Sequence, residues 1–134
     1  MGSEMCIRDS AIAIAEFLQT QTTVKAVYSP ALPSHPQSDI IKAQQSGPGP
    51  MLSFELENLE AATKFCSVLN IFKLAASLGG VESLICLPET MTHRGMEETA
   101  RREAGISEGL LRLSVGIEAK TDLISDLRKG FDSL

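Results

Sequence analysis

The sequence has no tryptophan, one tyrosine, two histidines and three cysteines among its 134 residues. The cysteines are Cys6, Cys66 and Cys86. Their spacings match no common metal motif, and three thiols cannot all pair with one another. Cys66 and Cys86 fall in apolar segments, where a free cysteine usually packs as a small hydrophobic residue. We therefore predict reduced thiols in a cytoplasmic protein that has no metal site.

The sequence also lacks an excess of positive charge and a long apolar run. Its net charge is −5, so no basic stripe is available to neutralise phosphates, which argues against nucleic acid as a partner. No apolar run approaches the roughly 20 residues that a membrane-spanning helix needs, and no charged segment precedes an apolar signal core. We therefore predict a soluble protein with neither nucleic-acid nor membrane partners.

Hydrophobic residues make up 43% of the sequence and charged residues 22%. These fractions, with the length, are typical of one globular domain. Residues 1–10 show neither a helical nor a strand period, and they join abruptly to a well-patterned helix that Ser10 can cap. We therefore predict that residues 1–10 are foreign to the native protein and that the domain covers residues 11–134.

Hydrophobic periodicity and turn residues divide the domain into interleaved helices and strands. The predicted helices cover residues 11–19, 34–45, 59–69, 97–103 and 121–134, and the predicted strands cover 22–28, 51–57, 71–75, 82–87 and 110–115. Because the strands alternate polar and apolar residues, we predict an α+β two-layer sandwich with a mostly antiparallel sheet and helices packed on it.

Helix starts carry their own signals. Asn58 is a predicted N-cap for the helix over residues 59–69. In the helix over residues 34–45, Ser34 and Gln37 match the capping-box spacing, and Ile40 and Ile41 are its predicted buried contacts.

The candidate functional residues lie in residues 76–116, where two small turns and two short strands interrupt an apolar background. In the last strand, Leu111, Leu113 and Val115 share one face, so Arg112 projects from the other. A guanidinium presents a planar pair of donors that matches a carboxylate. The alternative is a half-exposed arginine paired with Glu55 or Glu118, and spacing alone favours that ion pair.

Other polar residues give weaker signals. Ser77 precedes Leu78-Gly79-Gly80, where glycine lets the backbone approach a ligand closely, although a serine before two glycines usually marks only a turn. His93 could act as an acid or base, but no second histidine or acid stands at a metal or triad spacing from it. His35 is interpreted as a capping neighbour. The charged residues between 97 and 103 are interpreted as a solvated face.

Several ordered segments together resemble the C-terminal part of the Cys/Met-metabolism enzymes that use pyridoxal phosphate. They are LQTQ at 18–21, YSPALPSHPQ at 28–37, MLSFEL at 51–56, ASLGGVESLI at 76–85, MTH at 91–93 and GISEGLLRLSVGIE at 105–118. The resemblance extends from about residue 11 to residue 134. It implies the fold of the small C-terminal domain of aspartate-aminotransferase-like enzymes.

The resemblance also implies residue roles. Arg112 matches the arginine that holds the substrate α-carboxylate, and Ser77 matches a serine near the cofactor and its lysine. Within the family the segments are most similar to the cystathionine gamma-synthase branch, which uses O-acylhomoserine and cysteine in transsulfuration and methionine biosynthesis. Gamma-lyases and O-acylhomoserine sulfhydrylases share most of the segments. Ala76 stands where many of these enzymes have glutamate, which leaves the substrate open. The full-length enzyme is expected to be a homotetramer.

The family's Schiff-base lysine, phosphate-binding loop and ring-stacking tyrosine belong to a large domain that would precede residue 11. No lysine here lies in a matching segment, so we predict a fragment that has no catalytic residue and is inactive alone. Lys25, Lys42, Lys64, Lys73, Lys120 and Lys129 are the lysines of this sequence. The alternative of another class is a free-standing amino-acid-binding or interaction module.

Overall fold

The computed structural model describes residues 2–134, without the side chains of residues 3–5. Helices and strands interleave along the described chain. They are α1 Ser3–Gln19, β1 Ala26–Tyr28, α2 Ser38–Gln44, β2 Met51–Glu55, α3 Leu59–Ser67, β3 Lys73–Leu74, β4 Leu84–Cys86, α4 Glu98–Glu103, β5 Leu110–Ser114 and α5 Lys120–Asp132. The strands form one five-stranded sheet in the order β1-β2-β5-β4-β3. Only the β3–β4 pair is parallel, so the α+β prediction is confirmed.

The centre of the sheet is the antiparallel pair β2 and β5. Leu52 is opposite Leu113, and Phe54 is opposite Leu111. All four side chains are at most 3% exposed. Full burial of such a side chain contributes about 1.5–3 kcal/mol, so this pair supplies much of the core. The predicted alternation of β2 is therefore confirmed.

Helices α1, α3 and α5 contact one another or the central strands on this apolar face. Three phenylalanine rings meet there: Phe65 lies with its ring centroid 5.5 Å from that of Phe54 and 4.9 Å from that of Phe131. Gly130 allows α5 to lie close to the Phe65 ring, because a Cβ at this position would be 2.5 Å from that ring. One face of the sheet is thus closed by helices.

The N-terminal helix is longer than predicted. It begins at Ser3 rather than at residue 11, and Ser10 is a buried residue inside it rather than its cap. Once residues 11–19 form a helix, each further turn adds hydrogen bonds without a new nucleation cost. Met1 lies outside the described residues, and the foreign origin of residues 1–10 stays a prediction.

The second helix is shorter than predicted. It begins at Ser38, no residue in it is buried, and Ile40 is 54% exposed, so the predicted buried contacts are wrong. Residues 29–37 instead form successive turns, and the backbone N–H of Gln37 donates to His35 Nδ1 at 3.1 Å. Prolines interrupt this segment and limit regular helix formation. The strand predicted over residues 22–28 is likewise reduced to β1.

The predicted cap of α3 is confirmed, because Asn58 Oδ1 accepts a hydrogen bond from Ala61 N at 2.9 Å. Replacing Asn58 by alanine removes this bond and is expected to lower the free energy of unfolding by about 1 kcal/mol. Urea denaturation followed by circular dichroism measures the change. Asn58→Asp keeps an acceptor oxygen and should stay within a few tenths of a kcal/mol of the wild type. Equal losses in both variants would contradict the capping role.

No helix in residues 2–134 combines the length and apolar character needed to cross a membrane.

Candidate functional site

Arg112 projects from the sheet face that lies opposite the helices. Its neighbours in β5, Leu111 and Leu113, are fully buried on the helical side. Arg112 lies between Ser53 of β2 and Cys86 of β4 in the strand register. Side chains that are directly opposite in antiparallel strands have Cβ atoms about 4.5–5.5 Å apart. The sheet therefore determines the face and the neighbours of this arginine.

The segment after β3 holds the Arg112 side chain in place. Arg112 Nη2 donates to the carbonyl oxygen of Ala76 at 2.9 Å, with a longer contact of 3.4 Å to that of Ser77. Gly79 N then donates to Ser114 Oγ at 2.8 Å. Gly79 has a φ of +74°, a conformation that favours glycine. Residues 76–79 are therefore attached to β5 through two of its side chains.

A second set of hydrogen bonds attaches residues 81–83 to the end of β5. The Glu118 carboxylate accepts from Ser83 N at 2.9 Å and from the Ser83 hydroxyl at 2.7 Å. Gly116 N donates to Ser83 Oγ at 2.8 Å. A Cβ on Gly116 would lie 2.3 Å from the Val81 carbonyl oxygen, so the close approach needs glycine. Glu118 thus stabilises the loop that carries Ser77.

The alternative ion pairs of Arg112 are absent. Glu118 binds Ser83, and Glu55 accepts a hydrogen bond from the Tyr28 hydroxyl at 3.2 Å. Among the described residues, no carboxylate lies within 4.0 Å of the Arg112 guanidinium. Its Nε is buried and has no hydrogen-bond partner in the part of the chain that the structure describes. An unpaired, partly buried guanidinium with free donors favours binding of an anion, and its planar geometry favours a carboxylate.

Ser77 lies on the exposed loop beside this guanidinium. Its carbonyl oxygen contacts Arg112 Nη2. The structure therefore places the two predicted site residues together.

Tyr28, on the same sheet face, was missed by the sequence reasoning, and Glu55 was considered only as an ion-pair partner of Arg112. Partial burial, and then the neighbouring Glu55 carboxylate, raise the pKa of Tyr28. The phenol therefore stays protonated and can donate at neutral pH. The register that pairs Tyr28 with Ser53 follows from the alternation of β2, and that alternation was the available signal.

His93 lies in the loop after β4, away from any triad. Its Nδ1 is 2.8 Å from the Thr92 hydroxyl, and its backbone N–H donates to the Pro88 carbonyl oxygen. Arg101 donates to the carbonyl oxygens of His93 and Met96 in this loop. The hydrogen bonds of this loop are therefore local, and none joins His93 to a second catalytic group among the described residues.

The solvated face predicted for residues 97–103 is wrong for two arginines. The side chains of Arg101 and Arg102 are 14% and 32% exposed, and both donate to Glu89, which is 12% exposed. Arg102 also donates to the Ile106 carbonyl oxygen at 2.8 Å. The fold brings Glu89 to these residues from 12 and 13 positions away, so local charge spacing could not show the cluster.

Hydrogen bonding from Arg102, with a further contribution from Arg101, lowers the pKa of Glu89 below its ordinary value, despite an opposing effect of burial. A lowered folded-state pKa stabilises the fold above the ordinary glutamate pKa of about 4.3, and that stabilisation is lost as the pH falls through the folded-state pKa. Glu89→Gln is therefore expected to be less stable than the wild type at pH 7 and to approach it below about pH 4. Urea denaturation at several pH values measures this, with Glu57→Gln at an exposed position outside this cluster as control. A stability difference between Glu89→Gln and the wild type that stays constant with pH would contradict the lowered pKa of Glu89.

The three cysteines are free, and Cys86 is buried. Burial, with a smaller effect of Cys86, raises the pKa of the Cys66 thiol to about 12. The nucleophilic form of cysteine is the thiolate, so Cys66 is inert at neutral pH. The described residues contain no cluster of three or more side chains that could hold a metal ion.

Comparison with known proteins gives a consistent result. A family model described as Cys/Met metabolism PLP-dependent enzyme matches residues 6–132. Cystathionine gamma-synthase of Escherichia coli (strain K12) is 54% identical over 123 residues, which are 91% of this chain and 32% of that protein. Cystathionine beta-lyase of Lactococcus lactis subsp. cremoris (strain MG1363) is 50% identical over 119 residues, which are 89% of this chain and 31% of that protein.

A solved structure agrees. Cystathionine gamma-synthase from Xanthomonas oryzae pv. oryzae, in complex with aminoacrylate and cysteine, superposes with a TM-score of 0.93 and 48% identity. The superposition covers 98% of this chain and 34% of that one. The chain therefore spans about a third of the length of the relatives it matches.

Proposed function

The chain belongs to the family of Cys/Met metabolism PLP-dependent enzymes, and on that basis we propose that it is the substrate-carboxylate-binding part of a cystathionine gamma-synthase-like enzyme. The proposed reaction replaces the γ-acyl group of an O-acylhomoserine with the thiol of cysteine. The observation that supports this role best is Arg112, a guanidinium held by backbone carbonyls and not paired with any carboxylate of the described residues.

Arg112 acts by orientation. The carbonyl oxygens of Ala76 and Ser77 accept from Nη2 and hold the guanidinium in place. Nε is buried, and among the described residues no acceptor is bonded to Nη1, so we propose that Nη1 donates to an incoming carboxylate. A carboxylate bound to a fixed guanidinium has its α-carbon in a defined position, which reduces the entropy cost of reaching the reactive geometry. Ser77, on the loop beside Arg112, is positioned to contact the same ligand, and we propose that it does so.

The family uses pyridoxal phosphate, which when bound supplies an electron sink for removal of protons from the substrate. Around the Arg112 guanidinium lie Ser53, which is opposite it in the strand register, and the backbone carbonyl oxygens of Ala76 and Ser77. This set fits a single carboxylate. It does not by itself form the backbone N–H cradle and lysine amine that a phosphate and an aldehyde need. We propose that a large domain supplies those groups, and that Ser77 lies at its boundary.

Lyase activity is the second candidate. Relatives at 50% identity include a cystathionine beta-lyase, so similarity does not separate replacement from elimination. Ala76 removes a carboxylate that many gamma-synthases and gamma-lyases carry at this position. The synthase assignment rests on the 54% identity to the Escherichia coli enzyme and on the segments shared with its branch.

A chimera separates these activities. In it, residues 11–132 of this chain replace the matching segment of the Escherichia coli cystathionine gamma-synthase. With an O-acylhomoserine and cysteine, the proposal expects cystathionine as the main product. Release of a 2-oxo acid and ammonia without cystathionine would assign the chain to the lyases. The parent enzyme is the control, and cofactor absorbance shows that the chimera is assembled.

For the whole protein we propose a cytoplasmic homotetramer, and for the isolated chain we propose no activity. Borohydride treatment of the isolated chain with pyridoxal phosphate should trap no stoichiometric lysine adduct. A stoichiometric adduct would contradict the fragment proposal. Micromolar binding of an amino acid to the isolated chain, lost in Arg112→Ala, would favour the free-standing binding module. Sedimentation of the full-length protein tests the tetramer.

A further inference from the structure

We propose that Asp126 of α5 is a positioning residue for Arg112, acting through residues 70–77. The buried Asp126 carboxylate binds the backbone at residues 70–72, which begin this segment. The carbonyl oxygens of Ala76 and Ser77, at its other end, orient the Arg112 guanidinium. The inference rests on the proposed carboxylate-binding role of Arg112 for its functional meaning. The mechanical link itself depends only on the contacts described next.

Asp126 is fully buried and accepts backbone N–H groups from three consecutive residues. The distances are 2.9 Å to Asn70, 2.8 Å to Ile71 and 3.0 Å to Phe72. Its nearest cation is the half-exposed Lys129, 3.6 Å away. Hydrogen bonds to a carboxylate are roughly twice as strong as neutral ones. This one side chain of α5 therefore holds the turn between α3 and β3, together with the packing of Phe72 in the apolar core.

Strand β3 has little else to hold it. It contains two residues at the edge of the sheet, and both are exposed. Two backbone hydrogen bonds join this region to β4 and to the residue before it. Lys73 N donates to the Ser83 carbonyl oxygen at 3.1 Å, and Ala75 N donates to the Ile85 carbonyl oxygen at 2.9 Å. In residues 70–77, Phe72 is the one buried side chain. A short, exposed edge strand of this kind has few apolar contacts to resist local opening.

The far end of the segment reaches the candidate site. Ala76 lies four positions after Phe72, which corresponds to at most about 14 Å of extended chain. Ala76 O and Ser77 O then accept from Arg112 Nη2. Asp126 and Arg112 are therefore joined through one continuous segment, residues 70–77, and release of its start allows the two carbonyl oxygens to move.

The test compares Asp126→Asn with Leu127→Ala. Leu127 is also fully buried in α5 but belongs to the apolar core. Its truncation therefore weakens the fold without removing the hydrogen bonds of the Asp126 carboxylate. In Asp126→Asn, amide hydrogen exchange at Lys73 and Ala75 is expected to rise at least ~10-fold relative to the central strands. The Arg112 Nε–Hε NMR signal, assigned by its loss in Arg112→Lys, is expected to shift. In Leu127→Ala, exchange should rise throughout the domain and the Arg112 signal should stay.

An unshifted Arg112 signal in Asp126→Asn, or equal behaviour of the two variants, would overturn the proposal. The unsubstituted protein provides a second test that needs no variant. In native-state exchange, the amides of residues 70–73 and 75 should open with one common free energy. Faster, independent exchange at 73 and 75 would also overturn the link. Neither measurement uses substrate or cofactor, so a failure here is distinct from a failure of the proposed function.

Discussion

Replacement of Phe65 by alanine is expected to lower the free energy of unfolding by about 3–5 kcal/mol. Phe65 is fully buried, and its ring contacts those of Phe54 and Phe131 edge to face. Alanine would leave a cavity, and Gly130 beside it has no side chain that could fill the space. A domain of this size is usually stable by about 5–15 kcal/mol, so the variant is expected to be marginally folded.

The measurement is urea denaturation followed by circular dichroism, because the protein has no tryptophan to report by fluorescence. Phe17→Ala is the matched control. Phe17 lies at the edge of the same ring cluster, 5.9 Å from Phe131, and is only partly buried. Its truncation is expected to cost clearly less than that of Phe65. A Phe65 variant within 1 kcal/mol of the wild type would be inconsistent with the described core.

Arg112→Ala is expected to have the largest effect on activity. Loss of a hydrogen-bonded partner of a desolvated carboxylate costs roughly 2–5 kcal/mol, so kcat/KM of the chimera should fall by about 30-fold or more. The loss is expected in KM, because the arginine binds a group that does not react, and also in kcat, because the bound arginine orients the substrate.

Arg112→Lys is the control for charge. Lysine keeps the positive charge but cannot present two donors in a plane, so an intermediate loss is expected. The cofactor absorbance of both variants should stay that of the chimera, since Arg112 is proposed to contact the substrate. A loss below about threefold in Arg112→Ala would contradict the assigned role.

The sequence predicted the central strands and the cap of α3 well because local chemistry decides them. Leu52 and Phe54 alternate with polar residues, and Asn58 satisfies a backbone donor three residues away. The predicted burial of the second helix was wrong because Ile40 is 54% exposed, and an apolar side chain alone does not ensure that a helix packs on the core. The start of α1 failed because helix growth from a strong neighbour overrides weak local periodicity.

The candidate site could be predicted only in part. The alternation of the last strand predicted that the Arg112 side chain points away from the core, and the family resemblance suggested that it binds a substrate carboxylate. Its carbonyl partners lie 35 and 36 residues earlier in the chain, so their contact depends on the fold. Asp126 was hidden for the same reason, since the amides that it binds lie 54 to 56 residues away. The local sequence signal for Asp126 was an acidic residue at a position next to the apolar residues Leu123 and Leu127 on one face of α5.

The most direct test of the central claim pairs Arg112 with the substrate's α-carboxylate in a thermodynamic cycle. KM is measured in the chimera and in its Arg112→Ala variant, with the amino-acid substrate and with its α-carboxamide analogue. We expect the chimera to prefer the acid by about 100-fold and the variant to lose nearly all of that preference. An equal preference for the acid in both proteins would show that another group binds the carboxylate and would contradict the role proposed for Arg112.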